Sequence, residues 1–153
     1  MLVGMNIARP ELCLTVLAAL ALTACNQVKT SDEDIKRVEY KDVVRMLANT
    51  KEKAVLLDVR PVSQFTAEHL PDARNIPLPD LVSRDERLAN ARHIIVYGSD
   101  YRDPLSPAAA KKLIVLGYKS VFDFRGGIEM WKASGGTTVT PPADAASSAP
   151  TSP

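Results

Sequence analysis

The sequence predicts one α/β domain built on a mainly parallel β-sheet. Three short apolar runs, residues 54–59, 94–97 and 121–124, have the length and composition of strands, and they alternate with helical patterns. Each run is apolar enough to be buried on both faces, which is typical of parallel sheets. With 153 residues, 46% of them hydrophobic, the chain can bury one core of ordinary size.

Helical patterns fill the segments between and around these strands. They are predicted at residues 41–48, 61–68, 81–89, 107–116 and 127–133. Ser106 followed by Pro107 is a typical N-cap and first-turn pair. Gly117, directly after Leu116, predicts the end of that helix, because glycine tolerates the left-handed C′ conformation. The strand at 94–97 therefore runs into a loop that opens a helix, a usual place for a ligand pocket.

The charge balance excludes one class of partner. A formal net charge of +1 leaves no basic surplus of the kind that nucleic-acid binding needs. We therefore expect no nucleic-acid partner.

The first residues carry the pattern of a bacterial export signal. Arg9 precedes an apolar run at residues 12–22 that is too short to span a bilayer as a mature helix. The tetrad LTAC that ends at Cys25 resembles the lipobox of bacterial lipoproteins. This resemblance implies removal of residues 1–24 as a signal peptide and lipidation of Cys25. A plain secretory signal and a buried core helix remain the alternatives.

The segments on either side of the domain lack the periodic apolar residues of a helix or a strand. Residues 25–35 are predicted to be the lipidated cysteine and a flexible spacer, and residues 136–153, rich in Pro, Ala, Ser and Thr, a disordered tail. Asn26 after the cysteine favours, by analogy, the periplasmic face of the outer membrane over the inner membrane. The expected location is thus the bacterial cell envelope, with the membrane contacted through the lipid anchor.

Two motifs resemble the signatures of rhodanese-like domains. The first, LLDVRPVSQFTAEHLPDARNIPL, covers residues 56–78, and the second, LGYKSVFDFRGGIEMW, covers residues 116–131. The resemblance covers one module, residues 36–135, and implies a twisted parallel sheet with helices on both faces. It also implies an active-site loop after the strand 94–97, where catalytic members carry a cysteine that accepts sulfur as a persulfide. Gly98 stands at that position.

The sulfur inventory opposes persulfide chemistry. The chain has two cysteines, Cys13 within the signal and Cys25 at the lipidation site. If the first is removed and the second is alkylated, no free thiol remains to act as a nucleophile. The sequence thus predicts no catalytic residue. Substituting Gly98→Cys is expected to restore some persulfide formation if the backbone still forms the cradle of the family.

The loop itself is the candidate pocket, formed by Gly98, Ser99, Asp100, Tyr101, Arg102, Asp103 and Ser106. A serine nucleophile has no histidine in this segment to act as its base. Close backbone approach at Gly98, the following helix N-terminus and Arg102 favour binding of a small anion or a peptide. Asp100 and Asp103 favour the alternative, in which they pair with Arg102 and the loop satisfies itself.

Three further residues are expected to support the pocket. Asp58 and Arg60, at the end of a buried strand, are predicted to hold neighbouring loops by charge-assisted hydrogen bonds, although Arg60 could also face the pocket. His69 is expected to bond backbone groups, because the chain offers no set of ligands for a metal site. We expect neither a metal nor another cofactor, and we expect Trp131 to pack in the core.

These observations favour a membrane-anchored, rhodanese-like pseudoenzyme that serves as a binding or scaffolding module, with an envelope protein or a small anion as its partner. The alternative is a thiosulfate or sulfane-sulfur transferase acting in the periplasm. A third hypothesis is an envelope component whose tail makes the contacts.

Overall fold

The computed structural model of the protein describes residues 35–140. The predicted signal peptide, Cys25, most of the spacer and residues 141–153 lie outside this part. The strands are β1 (Lys36–Arg37), β2 (Ala54–Asp58), β3 (Arg74–Asn75), β4 (His93–Tyr97) and β5 (Val121–Phe124). The helices are α1 (Tyr40–Ala48), α2 (Val62–Ala67), α3 (Leu105–Val115) and α4 (Gly127–Ala133). Single 3-10 turns lie at Thr50–Glu52, Leu78–Asp80 and Glu86–Leu88.

The five strands form one sheet in the order β1-β5-β4-β2-β3, and every pairing is parallel. This confirms the predicted fold class, a single α/β domain with a parallel sheet. The three central strands agree with the predicted runs to within one residue at each end. The edge strands β1 and β3 were not predicted, because two residues are too few to carry an alternating pattern.

Apolar side chains cover the sheet on both faces. One cluster packs Leu57 and Val96 against Leu113 of α3, and the other packs Ile95 and Phe124 among residues of α1 and α4. Each fully buried aliphatic side chain contributes roughly 1.5–3 kcal/mol from removal of apolar surface from water. The sheet is therefore held from both sides, and its carboxyl-terminal edge carries the loops of interest.

The predicted helix at residues 81–89 is wrong. This segment forms turns, irregular backbone and one 3-10 turn, Glu86–Leu88. The Asp85 carboxylate accepts a hydrogen bond from the Arg87 amide at 2.9 Å, and the Tyr118 hydroxyl accepts one from the Asp85 amide at 2.9 Å. Arg84 has a φ of 55°. Side-chain bonds to the backbone thus replace the helical ladder, a known competition for aspartate.

Gly117 ends α3 as predicted. Its φ is 95°, and its amide donates to the Ile114 carbonyl at 3.0 Å. The Tyr118 amide donates to the Leu113 carbonyl, also at 3.0 Å. These two bonds form a Schellman motif, which satisfies the last carbonyls of the helix.

The ordered domain is slightly longer than composition predicts. Ile35, assigned to the spacer, is buried in the core, with 7% of its surface exposed. Residues 136–140, assigned to the disordered tail, pack on the domain: the Trp131 indole donates to the Thr137 carbonyl at 2.8 Å, and Val139 forms an antiparallel bridge with His69. Within residues 35–140, no helix is long and apolar enough to cross a membrane.

Candidate functional site

The loop between β4 and α3 binds its own backbone through two carboxylates. Asp103 accepts hydrogen bonds from the Ser99 amide at 2.7 Å and from the Leu105 amide at 2.9 Å. Asp100 accepts from the amides of Arg102 at 2.6 Å and of Asp103 at 3.2 Å. Four amides around the loop therefore already have anionic partners supplied by the loop.

Asp103 also fills the space next to Gly98. A β-carbon built on Gly98 would lie 2.7 Å from the Asp103 Oδ2 atom and 3.1 Å from its Cγ atom. Both distances are shorter than a normal contact, so any side chain at position 98 requires Asp103 to move. The Asp103 carboxylate thus occupies the position in the loop at which the sequence predicts a bound anion.

The start of α4 closes the loop from the other side. The Ile128 and Glu129 amides donate to the carbonyls of Gly98 and Ser99 at 3.2 and 3.1 Å. Gly127 has a φ of 58°, and a β-carbon there would lie 2.4 Å from the Gly98 carbonyl oxygen. The glycine pair 126–127 of the second motif thus permits this close approach. The Ile128 and Glu129 amides in the first turn of α4 are therefore hydrogen-bonded to the loop and do not face an open pocket.

The internal pairing expected for Arg102 does not form. Within the described residues its guanidinium has no carboxylate partner, because Asp100 and Asp103 bind backbone amides instead. Tyr101 is exposed, and its hydroxyl donates to Glu39 at 3.3 Å. The Ser99 hydroxyl lies 3.5 Å from the Gln64 side-chain oxygen. The loop therefore satisfies itself through its backbone and leaves its arginine exposed.

Ser106 is not the helix cap. Helix α3 begins at Leu105 with Pro104 as its N-cap residue, and the Asp103 carboxylate takes the Leu105 amide. Ser106 consequently lies within the first turn and is fully buried. Its hydroxyl faces Asp123 of β5, and within residues 35–140 neither this hydroxyl nor the Asp123 carboxylate has a hydrogen-bond partner of good geometry.

Asp58 and Arg60 form a buried ion pair beside the loop, with 2.6 Å between the guanidinium and the carboxylate. The same guanidinium donates to the Glu68 carbonyl at 2.8 Å. Burial acts to lower the pKa of Arg60, but the hydrogen bonds and charge of Asp58 outweigh it, so the pKa is raised. Because Arg60 is committed to these contacts, it ties β2 to the end of α2 and does not face an open pocket.

The comparisons with known proteins agree with this geometry. The family model of the rhodanese-like domain matches residues 39–134. The chain belongs to the rhodanese-like family.

Relatives of this rhodanese-like domain include named sulfurtransferases. The "Adenylyltransferase and sulfurtransferase UBA4" of Candida albicans is 34% identical over 125 residues, which cover 71% of this chain and 26% of that protein. The "Thiosulfate sulfurtransferase GlpE" of Coxiella burnetii is 30% identical over 83 residues, covering 54% of this chain and 76% of the relative. The chain thus spans about a quarter of the first relative and three quarters of the second.

Solved structures support the same fold. The crystal structure of the Alr3790 protein from Anabaena is similar with a TM-score of 0.59 and 31% sequence identity. The match covers 67% of this chain and 80% of that one.

His69 has a structural place in this rhodanese-like domain. Its Nδ1 atom lies 2.8 Å from the Phe65 carbonyl, and its ring stacks on Phe65 with centroids 4.0 Å apart. Its backbone pairs with Val139. Among residues 35–140, no group of three potential ligating side chains could hold a metal ion.

Sequence reasoning missed Asp123. It lies at the carboxyl-terminal edge of the sheet, only 1% exposed, and burial raises its pKa, an effect that Ser106, Arg125 and Arg37 partly oppose. The available signal was a single acidic residue within the buried run 121–124. It was hidden because a polar residue in such a run also fits a solvent-facing position at the end of a strand.

Proposed function

We propose that this chain is a lipid-anchored rhodanese-like module of the bacterial cell envelope that binds a partner and does not transfer sulfur. The family membership supports the architecture. The inactive loop and the lipobox-like tetrad support the two finer parts of the proposal.

The observation that carries the proposal is the Asp103 carboxylate in the loop. Sulfur transfer in this family, as the resemblance implies, needs a thiolate at the position of Gly98, stabilised by backbone amides and a helix N-terminus. Here the Ser99 and Leu105 amides bind Asp103. A carboxylate does not accept a sulfane sulfur, and neither cysteine of the chain lies within residues 35–140.

Charge in the loop opposes the reaction as well. Asp100 and Asp103 would raise the pKa of a thiol placed between β4 and α3, because a nearby negative charge disfavours the thiolate. The same charges would repel a dianionic sulfur donor such as thiosulfate. Restoring the nucleophile alone therefore leaves an unfavourable electrostatic environment.

A second candidate function is sulfur transfer, the activity for which two relatives are named. With the expected export signal it would take place in the periplasm. It would require a thiol from a partner protein or an unmodified Cys13 or Cys25. Where the thiol is that of Cys13 or Cys25, this candidate predicts activity that disappears when that cysteine is substituted.

The deciding experiment measures thiocyanate formation from thiosulfate and cyanide by the full-length protein in detergent. We expect a rate equal to that of a protein-free control. A Cys13→Ser/Cys25→Ser variant is the matched comparison. Turnover above the control that disappears in this variant would establish the second candidate. Turnover that persists in the variant would also contradict the pseudoenzyme proposal, and it would show that a group other than the two cysteines carries the sulfur.

The anchor is tested separately in a Gram-negative host. Mass spectrometry of the mature N-terminus is expected to find an acylated Cys25 and no residue before it. The protein should fractionate with membranes, and Cys25→Ser should prevent acylation. An unmodified mature N-terminus at another residue would disprove the anchor without affecting the assay of the loop.

A further inference from the structure

A groove lies beside the loop, on the opposite side from Asp58 and Arg60. It lies between the ends of β1 and β5 and the first turns of α3, and its volume is about 650 Å³. We call it the basic groove, and its lining includes Arg37, Glu39, Tyr101, Pro107, Lys111 and Arg125. Its size is within the range of roughly 300–1,000 Å³ that is usual for small-molecule sites.

The two arginines of the basic groove are aligned by the sheet. Arg37 is paired in register with Asp123, and Arg125 lies two residues after Asp123. Because aligned residues share a face of a sheet, Arg37 and Asp123 both belong to the face that α3 covers. Arg125 lies in the turn directly after β5 and lines the same groove as Arg37. The sheet and this turn thus bring two guanidinium groups to one groove.

Neither guanidinium forms an ion pair within the part of the chain that the structure describes. Asp123 interacts with Arg37 and Arg125 only at longer range. Arg125 uses its Nε atom to donate to the Tyr101 carbonyl at 3.1 Å, which fixes its position. Lys111 of α3 also lines the groove. Among the lining residues within 35–140, Glu39 is the only acid, and its carboxylate accepts from the Tyr101 hydroxyl.

The two arginines of the groove also act on one buried side chain. Asp123 and Ser106 are 1% and 0% exposed. Burial raises the pKa of Asp123, and the neighbouring Ser106 hydroxyl and the charges of Arg125 and Arg37 partly oppose this rise. The two guanidinium groups are therefore close enough to act on the same anionic group.

We propose that the basic groove binds an organic phosphate, a dianionic phosphate ester carried on an apolar body. Guanidinium groups match the oxygens of a phosphate bidentately, and the two arginines supply this from adjacent strands. The groove is larger than an inorganic ion needs, and Val38, Pro107, Ala108 and the Tyr101 ring offer apolar surface for the rest of the molecule. The site shares Tyr101 with the loop but does not include position 98, so the proposal stands whether or not the loop transfers sulfur.

The test is calorimetric titration of the full-length protein in detergent, at low ionic strength, with phenyl phosphate as the probe. Two control compounds separate the parts of this probe. Inorganic phosphate carries the anion without an apolar body, and benzyl alcohol carries the apolar ring without the phosphate. We expect phenyl phosphate to bind about tenfold more tightly than inorganic phosphate, and benzyl alcohol not to bind measurably. Equal affinity for phenyl phosphate and inorganic phosphate would overturn the proposal, because the apolar part of the site would then contribute nothing.

Variants locate the site. Arg37→Glu changes an exposed residue, and it is expected to weaken phenyl phosphate binding more than about tenfold through charge reversal. Ala108→Glu, on the opposite wall, should have the same effect. Arg92→Gln is the matched control, an exposed arginine before β4 and outside the lining, and it should leave affinity within about twofold. Unchanged binding in both groove variants, or an equal loss in Arg92→Gln, would contradict the assignment.

Discussion

At the scale of single residues, Asp103 organises the loop because one carboxylate accepts hydrogen bonds from two amides, those of Ser99 and Leu105. Hydrogen bonds to a charged group contribute roughly 1.5–3 kcal/mol each to stability. The same carboxylate occupies the space that a side chain at position 98 would need. Asp103 therefore stabilises the loop and crowds any side chain at position 98.

The Gly98→Cys substitution alone is therefore expected to form no persulfide, which corrects the expectation drawn from the sequence. Its β-carbon would approach the Asp103 carboxylate to 2.7 Å, and the nearby charge would disfavour the thiolate. The double variant Gly98→Cys/Asp103→Ser should gain the modification. Mass spectrometry after incubation with thiosulfate checks this, with Asp103→Ser as control. Full loading of the single variant would show that Asp103 moves aside freely.

Asp123 gives a prediction for pH dependence. Burial raises its pKa above the ordinary value of 3.8, so the folded state holds the proton more tightly than the unfolded chain. The contribution of Asp123 to the free energy of unfolding is thus fully present below pH 3.8 and is lost as the pH rises through the pKa of the folded state. Asp123→Asn removes this loss and should stabilise the protein by about 1 kcal/mol at neutral pH, with no gain in acid. Urea unfolding across pH measures it, and a gain that is equal at every pH would contradict it.

Residue roles could be predicted from the sequence only where the chain fixes them locally. Asp58 and Arg60 are two positions apart at the end of a buried strand, and their contact follows from that spacing. Asp103 has no such constraint, because its choice between Arg102 and the backbone amides depends on the turn that Pro104 and Asp100 impose. Three-dimensional loop geometry decides it.

At the scale of elements, the close contact between α4 and the loop depends on Gly127. Gly127→Ala is expected to cost more than about 2 kcal/mol, because it combines a positive φ with a collision against the Gly98 carbonyl. Gly117→Ala is the matched control: its φ is also positive, but its β-carbon meets nothing within 4 Å, so about 1 kcal/mol is expected. Denaturant unfolding compares them, and equal losses would contradict the role of the contact.

Elements with a continuous apolar run were predicted well, and those set by side-chain bonds were not. Strands β2, β4 and β5 bury both faces, which is visible in composition alone. The segment at 81–89 has helical spacing of apolar residues, but Asp85 and Tyr118 bind its backbone and prevent the ladder. Tyr118 is distant in sequence, so no local pattern contains that information.

At the scale of the whole molecule, residues 136–140 complete the domain. The Thr137 carbonyl accepts from Trp131, the Thr138 hydroxyl donates to Glu68 at 2.8 Å, and Val139 exchanges two backbone bonds with His69. The composition predicted that this segment belongs to the disordered tail, because its five small residues show no periodic apolar pattern. The boundary emerges only when α4 and the end of α2 are brought together.

Truncation tests this boundary. A chain that ends at Gly135 is expected to lose about 3–7 kcal/mol relative to one that ends at Thr140, since five hydrogen bonds of roughly 0.5–1.5 kcal/mol each disappear, the one from the Gly136 amide to the Trp131 carbonyl included. The chain ending at Thr140 should match the full-length protein. Thermal unfolding of the three forms decides this, and equal stability of the two truncated forms would show that the segment adds nothing.

The carboxylate that closes the loop also bears on how such a protein could change over generations. Persulfide chemistry at position 98 would need a cysteine there and the removal of the acid at position 103. The first change made alone meets steric crowding, and the second made alone removes hydrogen bonds that hold the loop. Each single substitution is thus expected to give a less stable protein than its parent, so an evolutionary path to such chemistry passes through a destabilised intermediate.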